Sequence, residues 1–248
     1  MFIDIHSHLE MVKDLDKAIS ESVKMGVGKI LTSGIDVKTN RSALGFSEKY
    51  DEVEACLGIF PSDSLKLSDE EIDKEIEFIN ENKDKIVAIG EVGLDLKWNS
   101  IETLEKQKKN FGKMVELAKG LGLPVVVHAR AAEKEAVEFL ESFDYDKILM
   151  HCFHGSFKFV QRIIDNGWFL TIPAIVKTSE HFQKVIEMCP IEQLFCETDS
   201  PFLHPDKLRD NIPGNVLVSY EKIAEIKKLD LKEVEKKIEE NYDKILSQ

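Results

Sequence analysis

The sequence predicts an α/β protein: a single closed (β/α)8 barrel with an extra C-terminal helix. Three observations carry that reading. Eight short apolar runs rich in Ile, Val, Leu and Phe alternate with stretches of helical spacing. No Ser/Gly-rich or Pro-rich linker and no low-complexity segment interrupts the 248 residues, and a barrel of this kind takes about 250. An open, doubly wound sheet would put a glycine-rich phosphate loop after the first strand, where this chain has His6-Ser-His8. Alternation implies parallel pairing, because each helical crossover returns the chain to begin the next strand in the same direction. Residues 1–248 are therefore expected to form one domain.

The elements follow in order. Phe2–His6 is the first strand, and the helix Asp14–Met25 closes at Gly26. Lys29–Thr32 leads to Lys38–Tyr50. Glu54–Ile59 leads to Ser68–Asn82, whose start reads as a capping box with Glu71 three residues after Ser68. Ile86–Gly90 precedes Ile101–Lys119, with Gly120 as the expected helix stop. Pro124–His128 precedes Ala131–Glu141, and Lys147–Met150 precedes Ser156–Asn166, which stops at Gly167. Glycine suits these ends because a left-handed residue there is cheap without a Cβ. Trp168–Ile172 and Gln193–Cys196 complete the strands, with the helix Glu180–Met188 between them. Two helices remain, Val216–Lys228 and Leu231–Leu246, the second capped by Asp230. The apolar positions Leu231, Val234, Ile238, Tyr242, Ile245 and Leu246 give the last helix one face, expected to pack on the barrel.

Composition narrows the function. Hydrophobic residues at 43% and charged residues at 32% are ordinary globular usage, which argues against disorder. The net charge of −13 argues against a protein that coats DNA, because such a protein needs a broad cationic surface to displace counterions. It leaves room for an enzyme that touches only a few phosphates. The opening MFIDIHSHLEMVKD shows no basic start, apolar core or cleavage site, so no secretory signal is expected. No apolar run approaches the roughly 20 residues of a membrane span. Cys56, Cys152, Cys189 and Cys196 form no CxxC pair and read as reduced thiols, mostly buried, in a cytoplasmic protein. No obligate protein partner is expected.

Metal-capable residues fall at strand ends. His6 and His8 alternate at the end of strand one, so both point the same way. Glu91 follows strand four, His128 ends strand five, His151 follows strand six and Asp199 follows strand eight. In a parallel barrel these ends share one face, where active sites are built. Each residue alone has a bland alternative: a surface pair, a hydrogen-bonded core histidine, a solvated acid. Five strand ends supplying ligand types together favour a divalent-metal centre. Glu91, midway around the ring, is the candidate bridge between two ions that could clamp a displacement at phosphorus. Asp199 could be ligand, general base, or both. Asp4 could instead hydrogen-bond backbone, and His181 reads as surface.

On these residues the chain resembles the TatD family of metal-dependent deoxyribonucleases, within the amidohydrolase superfamily. The matching motifs are Asp4-Ile-His6-Ser-His8-Leu9, Gly90-Glu91-Val-Gly-Leu-Asp95, Val127-His128-Ala-Arg130, His151-Cys-Phe-His-Gly155 and Glu197-Thr-Asp199-Ser-Pro201. They run in the family's order across most of the chain. The resemblance implies a TIM-like barrel with two divalent metals, magnesium, manganese or zinc. It implies His6, His8, Glu91 and Asp199 around one ion and Glu91, His128 and His151 around the other. It implies phosphodiester hydrolysis on a DNA end or single strand; the acidic charge and the altered outer loops leave a small-molecule ester, lactone or amide as the alternative substrate. The outer positions depart from the family pattern: Phe60 replaces a common histidine, Ala131 an acid and His154 a small residue. The basic stretch after the last motif is reduced to Arg209-Asp-Asn211-Ile-Pro213. Arg130, His154 and Arg209 are the candidate substrate contacts. Phe60, Trp98, Phe153 and Phe202 are expected in loops on the active face, where they could stack bases. Lys106, Lys108 and Lys109 read as a solvated helix face.

Overall fold

The computed structural model describes residues 1–247 and shows eight parallel strands in sequence order around a ring. The strands are β1 (Phe2–Ser7), β2 (Val27–Ser33), β3 (Val53–Leu57), β4 (Ile86–Asp95), β5 (Val125–Arg130), β6 (Ile148–Met150), β7 (Phe169–Pro173) and β8 (Leu194–Glu197). The helices are α1 (Leu15–Lys24), α2 (Val37–Lys49), the short α3 (Pro61–Ser64), α4 (Asp69–Glu81), α5 (Leu104–Leu121), α6 (Glu133–Leu140), α7 (Phe157–Asp165), α8 (Glu180–Met188), α9 (Leu217–Lys227) and α10 (Leu231–Ile245). The ring is completed just past β8. There the Asp199 N–H donates to the His6 carbonyl at 3.0 Å and the His8 N–H to the Ser200 carbonyl at 2.7 Å. This is the expected (β/α)8 barrel.

The strands read as continuous apolar runs because helices cover them outside and side chains fill the interior. Ile3, Ile5, Ile30, Leu31, Ala88, Ile89, Val125 and Leu194 are all buried. Ser68 and Glu71 form the expected reciprocal capping box on α4, and Asp230 with Glu233 forms another on α10. The apolar face of α10 packs on the barrel as expected, with Val234, Ile238 and Tyr242 buried. Asn241 seats it by donating to the Ile191 and Leu194 carbonyls, each at 2.8 Å.

Several boundaries shift by a few residues, and two of the differences have a clear cause. Gly120 lies inside α5, and Gly122, at φ +70°, makes the left-handed stop. β4 does not end at Gly90 but runs to Asp95, so Glu91 sits within the strand. Gly90 and Gly93 look like breakers in sequence. Here they permit close approach of neighbouring backbone: a Cβ on Gly93 would lie 1.9 Å from the His128 carbonyl oxygen.

Candidate metal centre

The barrel brings all six expected ligands to one mouth. His6 is on β1 with His8 just past it, Glu91 on β4 and His128 on β5; His151 directly follows β6 and Asp199 lies two residues past β8. Four donor atoms form a tight group. His6 Nε2 and His8 Nε2 are 3.3 Å apart. They lie 3.6 and 3.4 Å from Glu91 Oε2, and 3.6 and 3.5 Å from Asp199 Oδ1. Ligands about 2.1 Å from a tetrahedral ion are spaced by about 3.4 Å, so the donor set has the spacing a divalent ion imposes. The second Glu91 oxygen, Oε1, faces another group, 2.9 Å from His128 Nδ1 and 3.8 Å from His151 Nε2.

The outward nitrogen of each imidazole is held. His6 Nδ1 lies 3.2 Å from the Ser33 hydroxyl, and His8 Nδ1 donates to the Ser33 carbonyl at 3.1 Å. His128 Nε2 donates to Asp95 Oδ2 at 3.0 Å, and His151 Nδ1 to Glu197 Oε2 at 2.8 Å. Such partners fix ring orientation and leave the inward nitrogen available to a metal. Asp95, Glu197 and Ser33 were not expected to have these roles. The two acids stand inside the quoted motifs, but their pairing depends on inter-strand register. Asp4 is buried away from the ligand cluster and takes the blander of its two expected roles. It accepts from the Thr198 N–H at 2.8 Å and the Thr198 hydroxyl at 2.5 Å, propping the segment that carries Asp199.

The electrostatics match a cation site. Burial and the neighbouring His151 hold His6 well below the usual imidazole range. Burial opposes protonation of His8 too, yet hydrogen bonds to Asp199 and Glu91 hold it well above that range. Burial likewise opposes protonation of His151, but Glu197 outweighs it and pushes the ring to about 9. Burial would raise Glu91, and His128 and His8 instead hold it well below the carboxylate range. Protons thus balance a buried carboxylate, and a metal binding there must displace them. Backbone strain gathers at the same face: Ala131, Cys152, Asp199 and Leu203 all have φ between +42° and +55°.

A cavity of about 550 Å³ opens over the cluster, lined in part by Phe60, Trp98, Arg130, Cys152 and Phe202. Phe153 does not line it. Its ring is buried under Gly155. Phe60 packs edge-on against His128, with ring centroids 4.6 Å apart. Arg130 Nη1 is 3.2 Å from His154 Nδ1. His154 Nδ1 also lies 2.8 Å from the Cys152 carbonyl, which can only accept, so this nitrogen carries the hydrogen. Arg130 lines the cavity and makes no carboxylate ion pair among the described residues. His181 is partly buried rather than surface, stacked on His154 with Nε2 3.0 Å from the Phe153 carbonyl. Arg209 is exposed beyond the cavity lining. The lysine run is a paired helix face, with Lys108 on Glu105 and Lys109 on Asp69.

A family model described as TatD related DNase matches residues 3–247. The chain belongs to this family. It is 35% identical over 243 residues to an uncharacterized metal-dependent hydrolase of Methanocaldococcus jannaschii, covering 97% of this chain and 94% of that one. It is 31% identical to the Homo sapiens deoxyribonuclease TATDN3, covering 94% and 89%. It is 28% identical to the 3'-5' ssDNA/RNA exonuclease TatD of Salmonella typhimurium, covering 87% and 86%. The crystal structure of a TatD homologue from Escherichia coli superposes with a TM-score of 0.92 at 24% identity, covering 100% and 98%, which establishes the shared TatD barrel. No helix among the described residues is long and apolar enough to cross a membrane.

Proposed function

We propose that this TatD-family protein is a hydrolase that cleaves phosphodiester bonds at a single-stranded DNA end, using two divalent metal ions. One observation carries the reading: the two oxygens of Glu91 face two separate groups of donors. In this assignment His6, His8 and Glu91 hold one ion with Asp199, whose Oδ1 lies 3.6 and 3.5 Å from His6 and His8, and Glu91, His128 and His151 hold the other. The imidazole-rich set suits zinc better than magnesium or manganese, while the carboxylates also admit the latter two. The names of the human and Salmonella relatives support nucleic acid as the substrate. Residues 1–248 act as one hydrolase domain in this reading. The buried thiols of Cys56, Cys189 and Cys196 support residence in the reducing cytoplasm.

Bound divalent ions supply Lewis acidity to a phosphoryl group and to the attacking water. The chain's own residues do the rest. Glu91 and Asp199 both line the cavity; Asp199, with 15% of its side chain exposed against 3% for Glu91, is the more open carboxylate and takes the water's proton. Arg130 offers donors to a non-bridging phosphate oxygen, and His154 lies beside it at the cavity wall. Arg209 meets the strand beyond the cavity.

Two measurements test this. Metal content per chain, on protein purified without chelator, is expected near two. Labelled single-stranded DNA is expected to shorten from an end in manganese, zinc or magnesium, with Asp199→Ala reduced by about 100-fold or more. Intact DNA in all three metals rejects the substrate; metal-free protein rejects the centre.

A further inference from the structure

The fold treats its two tryptophans oppositely. Trp168 is 3% exposed, and its indole N–H donates to the Tyr145 carbonyl at 3.1 Å. Trp98 is 75% exposed, yet its backbone is firmly held. The Lys97 and Trp98 N–H groups both donate to Asp95 Oδ1, at 2.9 and 2.8 Å. The Asn99 side chain donates to the Asp95 carbonyl at 3.2 Å and to the Ser62 hydroxyl at 2.7 Å. The other oxygen of Asp95 holds His128. A single carboxylate therefore ties the ligand cluster to the turn that presents the indole.

This turn is part of the cavity wall, which includes both Lys97 and Trp98. Lys97 Nζ lies 5.6 Å from the indole centroid. Phe202, half exposed, lines the same cavity from the end of β8, four strands around the ring from β4. Asn211 steadies that loop by donating to the Phe202 carbonyl at 2.7 Å and the Thr198 carbonyl at 3.0 Å. Exposed rings on anchored loops, with a cation alongside, are the equipment that grips unpaired nucleotides. The ring takes the base face and the amine takes the backbone.

We propose that Trp98, with Lys97 beside it, is a nucleobase-stacking platform seating one unpaired base of a strand whose phosphate lies at the carboxylate–imidazole cluster. This rests on the phosphodiesterase reading above and states what that site selects. Every base has a π-face, so selection is for an open face rather than for base identity. A base inside a duplex has both faces covered by its neighbours, so the platform admits single-stranded ends and excludes paired interiors.

Indole fluorescence reads the contact directly, because the other tryptophan is buried. Metal-loaded protein is titrated with a phosphorothioate oligothymidylate and with an abasic strand of equal length. Oligothymidylate is expected to quench the emission of the wild type but not that of Trp98→Phe, and the abasic strand to leave both unchanged. In turnover, Trp98→Ala is expected to lose about 5- to 150-fold in kcat/KM on single-stranded DNA, chiefly through KM, the equivalent of about 1–3 kcal/mol of stacking. Trp98→Tyr recovers most of that loss, and the abasic strand shows a smaller one. Unquenched emission at saturating oligothymidylate, or equal losses on the two strands, overturns the platform while continued cleavage leaves the phosphodiesterase reading standing. The fluorescence arm decides even where cleavage is absent, and absence of both binding and cleavage removes both readings.

Discussion

Glu197 shows how much of this site depends on residues that touch no reacting atom. It is fully buried, and its Oε2 holds His151 Nδ1 at 2.8 Å. Removing the carboxylate charge while keeping the shape, in Glu197→Gln, is expected to weaken metal affinity about 10- to 100-fold, read by competition with a chelator. The same pair sets a pH dependence in protein stripped of metal. The folded value of His151, about 9, lies above the ordinary imidazole value of about 6.5. Its contribution to stability is therefore fully present below pH about 6.5 and is lost as pH rises through about 9. Melting temperatures of stripped protein at the two ends of that window are expected to differ more for the wild type than for Glu197→Gln. Equal slopes would sink the assignment.

Among the elements, β4 is the instructive one. Its sequence Ile86-Val-Ala-Ile-Gly-Glu-Val-Gly-Leu-Asp95 mixes strand formers with two glycines. Local rules end such a strand at Gly90, whereas pairing with β5 carries it onward through Val92 opposite Val127 and Asp95 opposite Arg130. Ladder hydrogen bonds and burial outweigh the weak β-propensity of glycine. Gly93, at φ +145°, is required because a Cβ would strike the His128 carbonyl. Gly93→Ala is expected to destabilise by more than about 3 kcal/mol or to prevent folding. Gly45, exposed in α2 with nothing within 4 Å of a built Cβ, makes the contrast. Gly45→Ala is expected to gain about 0.5–1 kcal/mol. Urea melts of the two variants test both signs.

The helices were the easier elements to read. Ser68 with Glu71, Asp230, Gly26 and Gly167 marked their ends through local chemistry, and the structure keeps each role. Gly120 misled because Gly122, two residues on, also satisfies the rule and is the one at positive φ. Local signals rank neighbouring candidates poorly when both are glycine.

At the scale of the whole molecule, three buried carboxylates and four imidazoles crowd one end of the barrel. Chelation, with metal loss verified, is expected to lower the melting temperature by about 5–10 °C. One site at a hundredfold excess over Kd is worth about 2.7 kcal/mol, and a chain of this size shifts by about 2–4 °C per kcal/mol. The net charge of −13 limits grip on a polyanion. With Lys97, Arg130 and Arg209 as the phosphate contacts, log affinity for single-stranded DNA should fall against log salt with a slope of about −2. A slope near that of a DNA-coating protein would contradict a hold confined to the mouth.

The sequence alone determined the barrel, the six candidate ligands and the family, because alternation of strands and helices and strand-end placement are written in local order. Only the tertiary structure decided which oxygen of Glu91 faces which imidazoles, that Asp95 and Glu197 orient His128 and His151, and that Arg130 lacks an acid partner. It also separated an anchored, exposed Trp98 from a buried Phe153. Those outcomes depend on register between strands and on side-chain approach across the ring. Both are set by packing among residues far apart in the chain, which no local pattern encodes.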